Sequence, residues 1–167
     1  MREGDRWVPT FPHARYLIGR REYAHWSSEG DAEQQVILSD SIRPVFEAGL
    51  VDLVEMDHVI SPEVRLVPTP GHTPGHVSVR IESGGEVGLI TGDMVHHPCQ
   101  MAHPEWSPPF DSDPAASAVM RREVFEGAAD QPILVIGTHF AAPTAGHVRR
   151  EGAAYRFDGV TSASPEA

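Results

Sequence analysis

The chain has 167 residues, enough for one domain that buries roughly 70% of its unfolded surface. Twenty-four acidic residues against thirteen basic ones give a formal net charge of -11, which argues against nucleic acid or an anionic membrane surface as the principal partner. A single cysteine, Cys99, excludes an intramolecular disulfide, and no apolar run is long enough for a bilayer span or a signal peptide, so a cytoplasmic location is expected.

In chain order, residues 1–12 contain Gly4, Pro9 and Pro12 and no hydrophobic period, and are read as loop. Residues 14–18 read as a short strand closed by Gly19, and residues 20–28, with Tyr23 and Trp26 three apart, as a short helix. Ser39 or Asp40 is the expected cap of a helix through Ala48, ended by Gly49. Strands are expected over 50–54 and 64–67, and again over 76–81, where Val77, Val79 and Ile81 alternate with polar residues. Ser83-Gly84-Gly85 turns the chain into a strand over 87–90. A proline-rich loop follows from 98 to 109, with His103 and Trp106 and, next to it, Phe110. Asp113 and Pro114 are a cap and first-turn pair for a helix to about Gly127, whose Ala118, Val119, Val124 and Phe125 are expected to face a core. Residues 133–136 read as a buried strand and 152–157 as an edge strand. A partial domain is therefore expected over 1–160, with a disordered tail over 161–167.

Ten histidines are the compositional anomaly. His72 lies in the turn Gly71-His72-Thr73-Pro74-Gly75-His76, Asp93 in Thr91-Gly92-Asp93 and His139 in Gly137-Thr138-His139, each after a strand-like run. Neutral imidazoles at strand ends are good zinc ligands, and a carboxylate delivered in the same way can bridge two metals. Taken singly, each is more readily read as a turn residue satisfied by hydrogen bonds, and it is the conjunction of the three that favours the metal reading. His96, His97, Cys99 and His103 follow Asp93 closely enough to reach one pocket, although adjacent histidines more often line a cleft. His76 is read as structural, Cys99 as a small buried residue, and Trp106 and Phe110 as either an apolar substrate wall or a loop packed on the core.

In order and spacing, these three segments resemble the later motifs of the metallo-β-lactamase fold superfamily. Residues 11–16, Phe-Pro-His-Ala-Arg-Tyr, and the 106–113 loop resemble its lactonase-like and organophosphate-hydrolase-like branch. The resemblance implies an α+β fold, a four-layer αββα sandwich, of which this chain covers the later part. It implies that His72, Asp93 and His139 are metal ligands, with Asp93 shared between two zinc sites. It also implies a zinc-dependent hydrolase of lactones, esters or phosphoesters acting on a small-molecule substrate.

The superfamily's first metal motif, His-x-His-x-Asp-His, does not occur in these 167 residues. In relatives it precedes the stretch equivalent to residues 7–16, so the chain is expected to be N-terminally incomplete. Structural zinc takes four protein ligands and catalytic zinc three plus water, so two ligands per site imply weak or partial zinc occupancy and an impaired fragment. An uncovered sheet edge would favour self-association. The alternative is a non-catalytic remnant of the fold that serves as a binding or interaction module.

Overall fold

The computed structural model describes residues 1–160; the expected disordered tail lies outside them. The chain divides into two compact units, residues 1–56 and the part from Asp57 onward. No described helix is long and apolar enough to cross a membrane.

In the first unit, the stretch expected to be loop contains a small antiparallel pair, β1 (Arg2–Glu3) and β2 (Arg6–Trp7). β3 (Tyr16–Gly19) and β4 (Val51–Val54) pair in parallel, a geometry that needs a helical crossover between them. That crossover is α1 (Arg20–Glu29), α2 (Ala32–Ile37), a π-helical segment (Leu38–Ile42) and α3 (Arg43–Glu47). The expected cap at Ser39 or Asp40 is corrected. Asp31 caps the run instead, its carboxylate accepting from the backbone of Glu33 and Gln34 at 2.9 and 3.1 Å, and residues 39–40 lie inside the helical run. Tyr23 stacks on Phe46 with ring centroids 4.7 Å apart, which joins α1 to α3.

The second unit is built on a six-stranded sheet in the order β10-β9-β8-β7-β6-β5. Its strands are β5 (Val64–Pro68), β6 (Val77–Ser83), β7 (Glu86–Ile90), β8 (Ile133–Ile136), β9 (Ala145–Glu151) and β10 (Ala154–Gly159). β7 and β8 are the one parallel pair of this sheet, and the crossover between them carries a 3-10 turn (Gly92–Met94), α4 (Cys99–Ala102) and α5 (Pro114–Ala128). α4 therefore occupies part of what reads as loop. Because β5–β6 and β6–β7 are antiparallel and β7–β8 is parallel, β5, β7 and β8 all run in one direction. The turns that follow these three strands leave from the same end of the sheet.

α5 begins as expected, with Asp113 Oδ1 accepting from the Ala116 amide at 2.9 Å. Its inner face carries Ala118, Val124 and Phe125 as expected and departs from expectation at Val119. Ala118 and Phe125 are buried, whereas Val119 is 50% exposed and Arg121 is fully buried. Phe125 and Ala128 pack with Met94, Val95, Met101, Val135, Phe140, Val148 and Tyr155 to form the core.

At the margin of this core, Glu126 accepts from Arg150 Nη2 at 2.6 Å and from the Tyr155 hydroxyl. The bond to Arg150, then the one to Tyr155, holds the Glu126 carboxyl below its ordinary value of 4.5. A carboxyl lowered on folding stabilises the fold fully above its unfolded value, and this contribution is lost as pH falls through the lower folded value. The urea midpoint is therefore expected to fall below about pH 4.5 by less in Glu126→Gln than in the parent chain, as followed by circular dichroism.

Candidate metal centre

The shared end of β5, β7 and β8 gathers the three ligands expected from the sequence. His72 lies in the turn between β5 and β6, Asp93 in the 3-10 turn after β7, and His139 in the turn after β8. Asp93 sits between the histidines, with Oδ2 3.5 Å from His72 Nε2 and Oδ1 2.9 Å from His139 Nε2.

Backbone geometry holds these turns in place. Gly71 has φ 139°, and a Cβ there would lie 2.5 Å from the Ser117 amide nitrogen on α5. The same turn is tied to the start of α5, since Ser112 N–H donates to His72 O and Asp113 N–H to Gly71 O, both at 2.9 Å. Gly71→Ala must strain both the backbone and the contact with α5. It is expected to cost about 1–3 kcal/mol in urea unfolding.

His76 ties this architecture together by hydrogen bonds, in line with its structural reading. Its Nδ1 faces Thr69 Oγ1 at 2.8 Å and Thr69 O at 3.0 Å, while its Nε2 accepts from the Asp93 amide at 2.8 Å. The ring thereby joins the His72 turn to the Asp93 turn. Gly92 makes room for it, because a Cβ at that position would lie 2.7 Å from His76 Nε2. The buried hydroxyls of Thr69 and Ser78 continue the link, with Ser78 Oγ donating to Thr91 O at 2.9 Å.

Among the four other candidates after Asp93, His96 joins the site. His72, Asp93 and His96 each offer one ligand atom, and these atoms lie within 4.8 Å of one another. The His96 ring stacks on His139 at 4.8 Å, and its Nδ1 is buried without a hydrogen-bond partner. Burial, followed by the neighbouring His72 and His139, pushes the His96 pKa down, and Asp93 and Asp111 oppose this. A neutral imidazole with an unpartnered nitrogen is suited to a cation or to a substrate polar group. Elsewhere, His97 Nδ1 accepts from the Cys99 amide at 3.1 Å, and His103 stacks on Trp106 at 4.1 Å.

Asp111 was not among the candidates read from the sequence. Its side chain is fully buried, and Oδ1 lies 3.0 Å from His72 Nδ1. Burial alone would raise its pKa, but the hydrogen bond with His72 and the charge of Arg121 help to outweigh burial and hold the carboxyl below its ordinary value. The ionised carboxylate is matched by a proton on His72 Nδ1, and in the neutral ring this leaves Nε2 as the electron-pair donor that faces Asp93 Oδ2. Two facing electron-pair donors, supplemented by His96, fit a zinc ion in donor type and in charge. Phe110 closes one side, 60% exposed, with its ring 5.8 Å from His72 and 5.2 Å from His96.

The fold is α+β, with a His/Asp cluster that could hold a metal ion at one end of its larger sheet. The model of the metallo-beta-lactamase superfamily matches residues 5–139, and the chain belongs to that superfamily. It is 36% identical over 131 residues to an N-acyl homoserine lactonase of Bacillus sp., a match covering 77% of this chain and 48% of that protein. Among solved structures it is similar to the hydrolase AbOPH of the beta lactamase superfamily, with TM-score 0.81, 23% identity, and coverage of 92% of this chain and 57% of that one. AidC, a dizinc quorum-quenching lactonase, is similar with TM-score 0.76, 18% identity, and the same coverages of 92% and 57%. The fold class expected from the sequence is therefore borne out, and the chain spans about half the length of the relatives it matches.

Proposed function

We propose that this chain carries part of the metal centre of a zinc-dependent hydrolase acting on a lactone or a related neutral ester. The observation that supports this most directly is the Asp93 carboxylate, which offers one oxygen toward His72 and the other toward His139. A carboxylate split in this way is suited to two metals, and His72, Asp93 and His139 are the proposed ligands. Zinc, when bound, supplies Lewis acidity that polarises a carbonyl oxygen.

The chain's own residues prepare that chemistry. Asp111 fixes the His72 tautomer, His76 holds the Asp93 backbone, and His96 and Phe110 form a wall that is polar at one point and apolar beside it. The net charge of -11 disfavours an anionic substrate and favours a neutral ester or lactone. Similarity to the Bacillus lactonase supports the same class. With two proposed ligands per metal, and His96 near one pair, the chain by itself holds zinc weakly and turns over slowly.

The test is a zinc titration of the purified chain by calorimetry, alongside hydrolysis of an N-acyl homoserine lactone followed by proton release. Weak zinc binding with slow, zinc-dependent lactone opening is the expected result. Failure to bind zinc at millimolar concentration would refute the proposal and favour the interaction-module reading.

A further inference from the structure

We propose that Arg121 is a positioning residue for the metal centre, acting on His72 through Asp111. The proposal rests on the reading of His72 as a metal ligand, and its starting point is a charge in an unexpected place. Arg121 lies on α5 three residues after Ala118 and four before Phe125, on the face that packs into the core, and it is 0% exposed. An apolar side chain would serve folding there at least as well, since a buried ion pair is often matched or bettered by hydrophobic packing. The guanidinium is therefore explained by what it holds.

It holds the Asp93 turn and the loop that carries Asp111. Nη1 lies 3.3 Å from Met94 O, the carbonyl next to Asp93, and 3.4 Å from Asp111 Oδ2. Nε donates to Pro104 O at 2.8 Å and Nη2 to Ser107 Oγ at 2.6 Å, fixing the loop from which Asp111 projects. The Asp111 carboxylate divides its oxygens, Oδ2 toward Arg121 and Oδ1 toward His72 Nδ1 at 3.0 Å. Guanidinium, carboxylate and imidazole form one line, with both members of the ion pair fully buried.

The consequence concerns the proton on His72. Without the cation that holds Oδ2, the buried carboxylate is free to turn, and its turning releases His72 Nδ1. The neutral ring is then free to carry its one proton on Nε2, and the lone pair that faces Asp93 is lost. Arg121 thus secures a ligand tautomer from the far side of a carboxylate, an arrangement whose loss ordinarily lowers metal affinity about 10- to 100-fold.

The experiment uses the full chain and the variants Arg121→Lys, Arg121→Met and Asp111→Asn. The His72 ring nitrogens are read without metal by long-range 15N–1H correlation at pH 8, above the ordinary titration range of histidine, with His72→Gln used to assign the signals. Zinc affinity is read separately by calorimetry. The parent ring is expected to be protonated at Nδ1. Arg121→Met and Asp111→Asn are expected to shift the ring toward the other tautomer and to lower zinc affinity about 10- to 100-fold, while Arg121→Lys recovers part of both. An unchanged His72 tautomer in folded Asp111→Asn overturns the proposal, and this outcome decides the matter if Arg121→Met does not fold. Equal loss in Arg121→Lys and Arg121→Met, with no change in tautomer, also overturns it and marks Arg121 as a loop staple alone. If the parent chain binds no zinc, the metal reading fails, while the nitrogen signals still decide the link from Arg121 to His72.

Discussion

Asp93→Asn is expected to lower zinc affinity by more than about 100-fold, beyond the 10- to 100-fold typical of groups that only orient a ligand. The size of the effect follows from the position of the carboxylate. Asp93 approaches His72 through one oxygen and His139 through the other, so one substitution affects both proposed metal positions. Asparagine keeps the size of the side chain and the backbone N–H that donates to His76 Nε2, so the turn is expected to persist. It removes the negative charge and replaces one oxygen with an amide nitrogen that is a poor ligand. His139→Ala leaves the His72 side intact and is expected to weaken zinc binding less. Calorimetric zinc titration of Asp93→Asn, His139→Ala and the parent chain measures the difference. Equal losses in the two variants would show that Asp93 serves one position only.

The three turns are legible because each carries a strong local signal, a His or Asp one or two residues after a glycine that follows an apolar run. Their meeting at one end of the sheet depends on strand direction, which the sequence pattern does not reveal. β5, β7 and β8 share a direction only because β6 reverses between β5 and β7 and a crossover separates β7 from β8. His96 was visible as a residue but not as a member of the site, because its place depends on the stack with His139 across the sheet end. Asp111 gave no signal beyond its loop, and its role appears only when α5 brings Arg121 behind it. One position on the inner face of α5 departs from the hydrophobic pattern for a related reason. Hydrophobicity groups Val119 with Ala118, Val124 and Phe125, whereas Val119 is half exposed and Arg121, held by its ion pair with Asp111, takes a place on the buried face.

Phe125→Ala is expected to cost about 3–5 kcal/mol, a large share of the roughly 5–15 kcal/mol that separates a folded domain from its unfolded state. Phe125 is 1% exposed and lies among Met101, Val135, Val148 and Tyr155, with its ring 6.0 Å from that of Tyr155. Truncation leaves a cavity between α5 and the sheet, since the strands on one side and the helix on the other limit collapse. Val119→Ala on the same helix is expected to change stability by less than about 0.5 kcal/mol, because that side chain is 50% exposed. Urea unfolding of the two variants separates the observed helix orientation from the one suggested by hydrophobicity. A midpoint lowered by more than about 1 M in Phe125→Ala and nearly unchanged in Val119→Ala supports the observed orientation, and comparable losses contradict it. The same core holds the site, since Arg121 lies one turn before Phe125 and grips the Met94 carbonyl beside Asp93. Zinc affinity in Phe125→Ala is therefore expected to fall under conditions where the chain remains mostly folded, as the helix that anchors Arg121 loosens against the sheet.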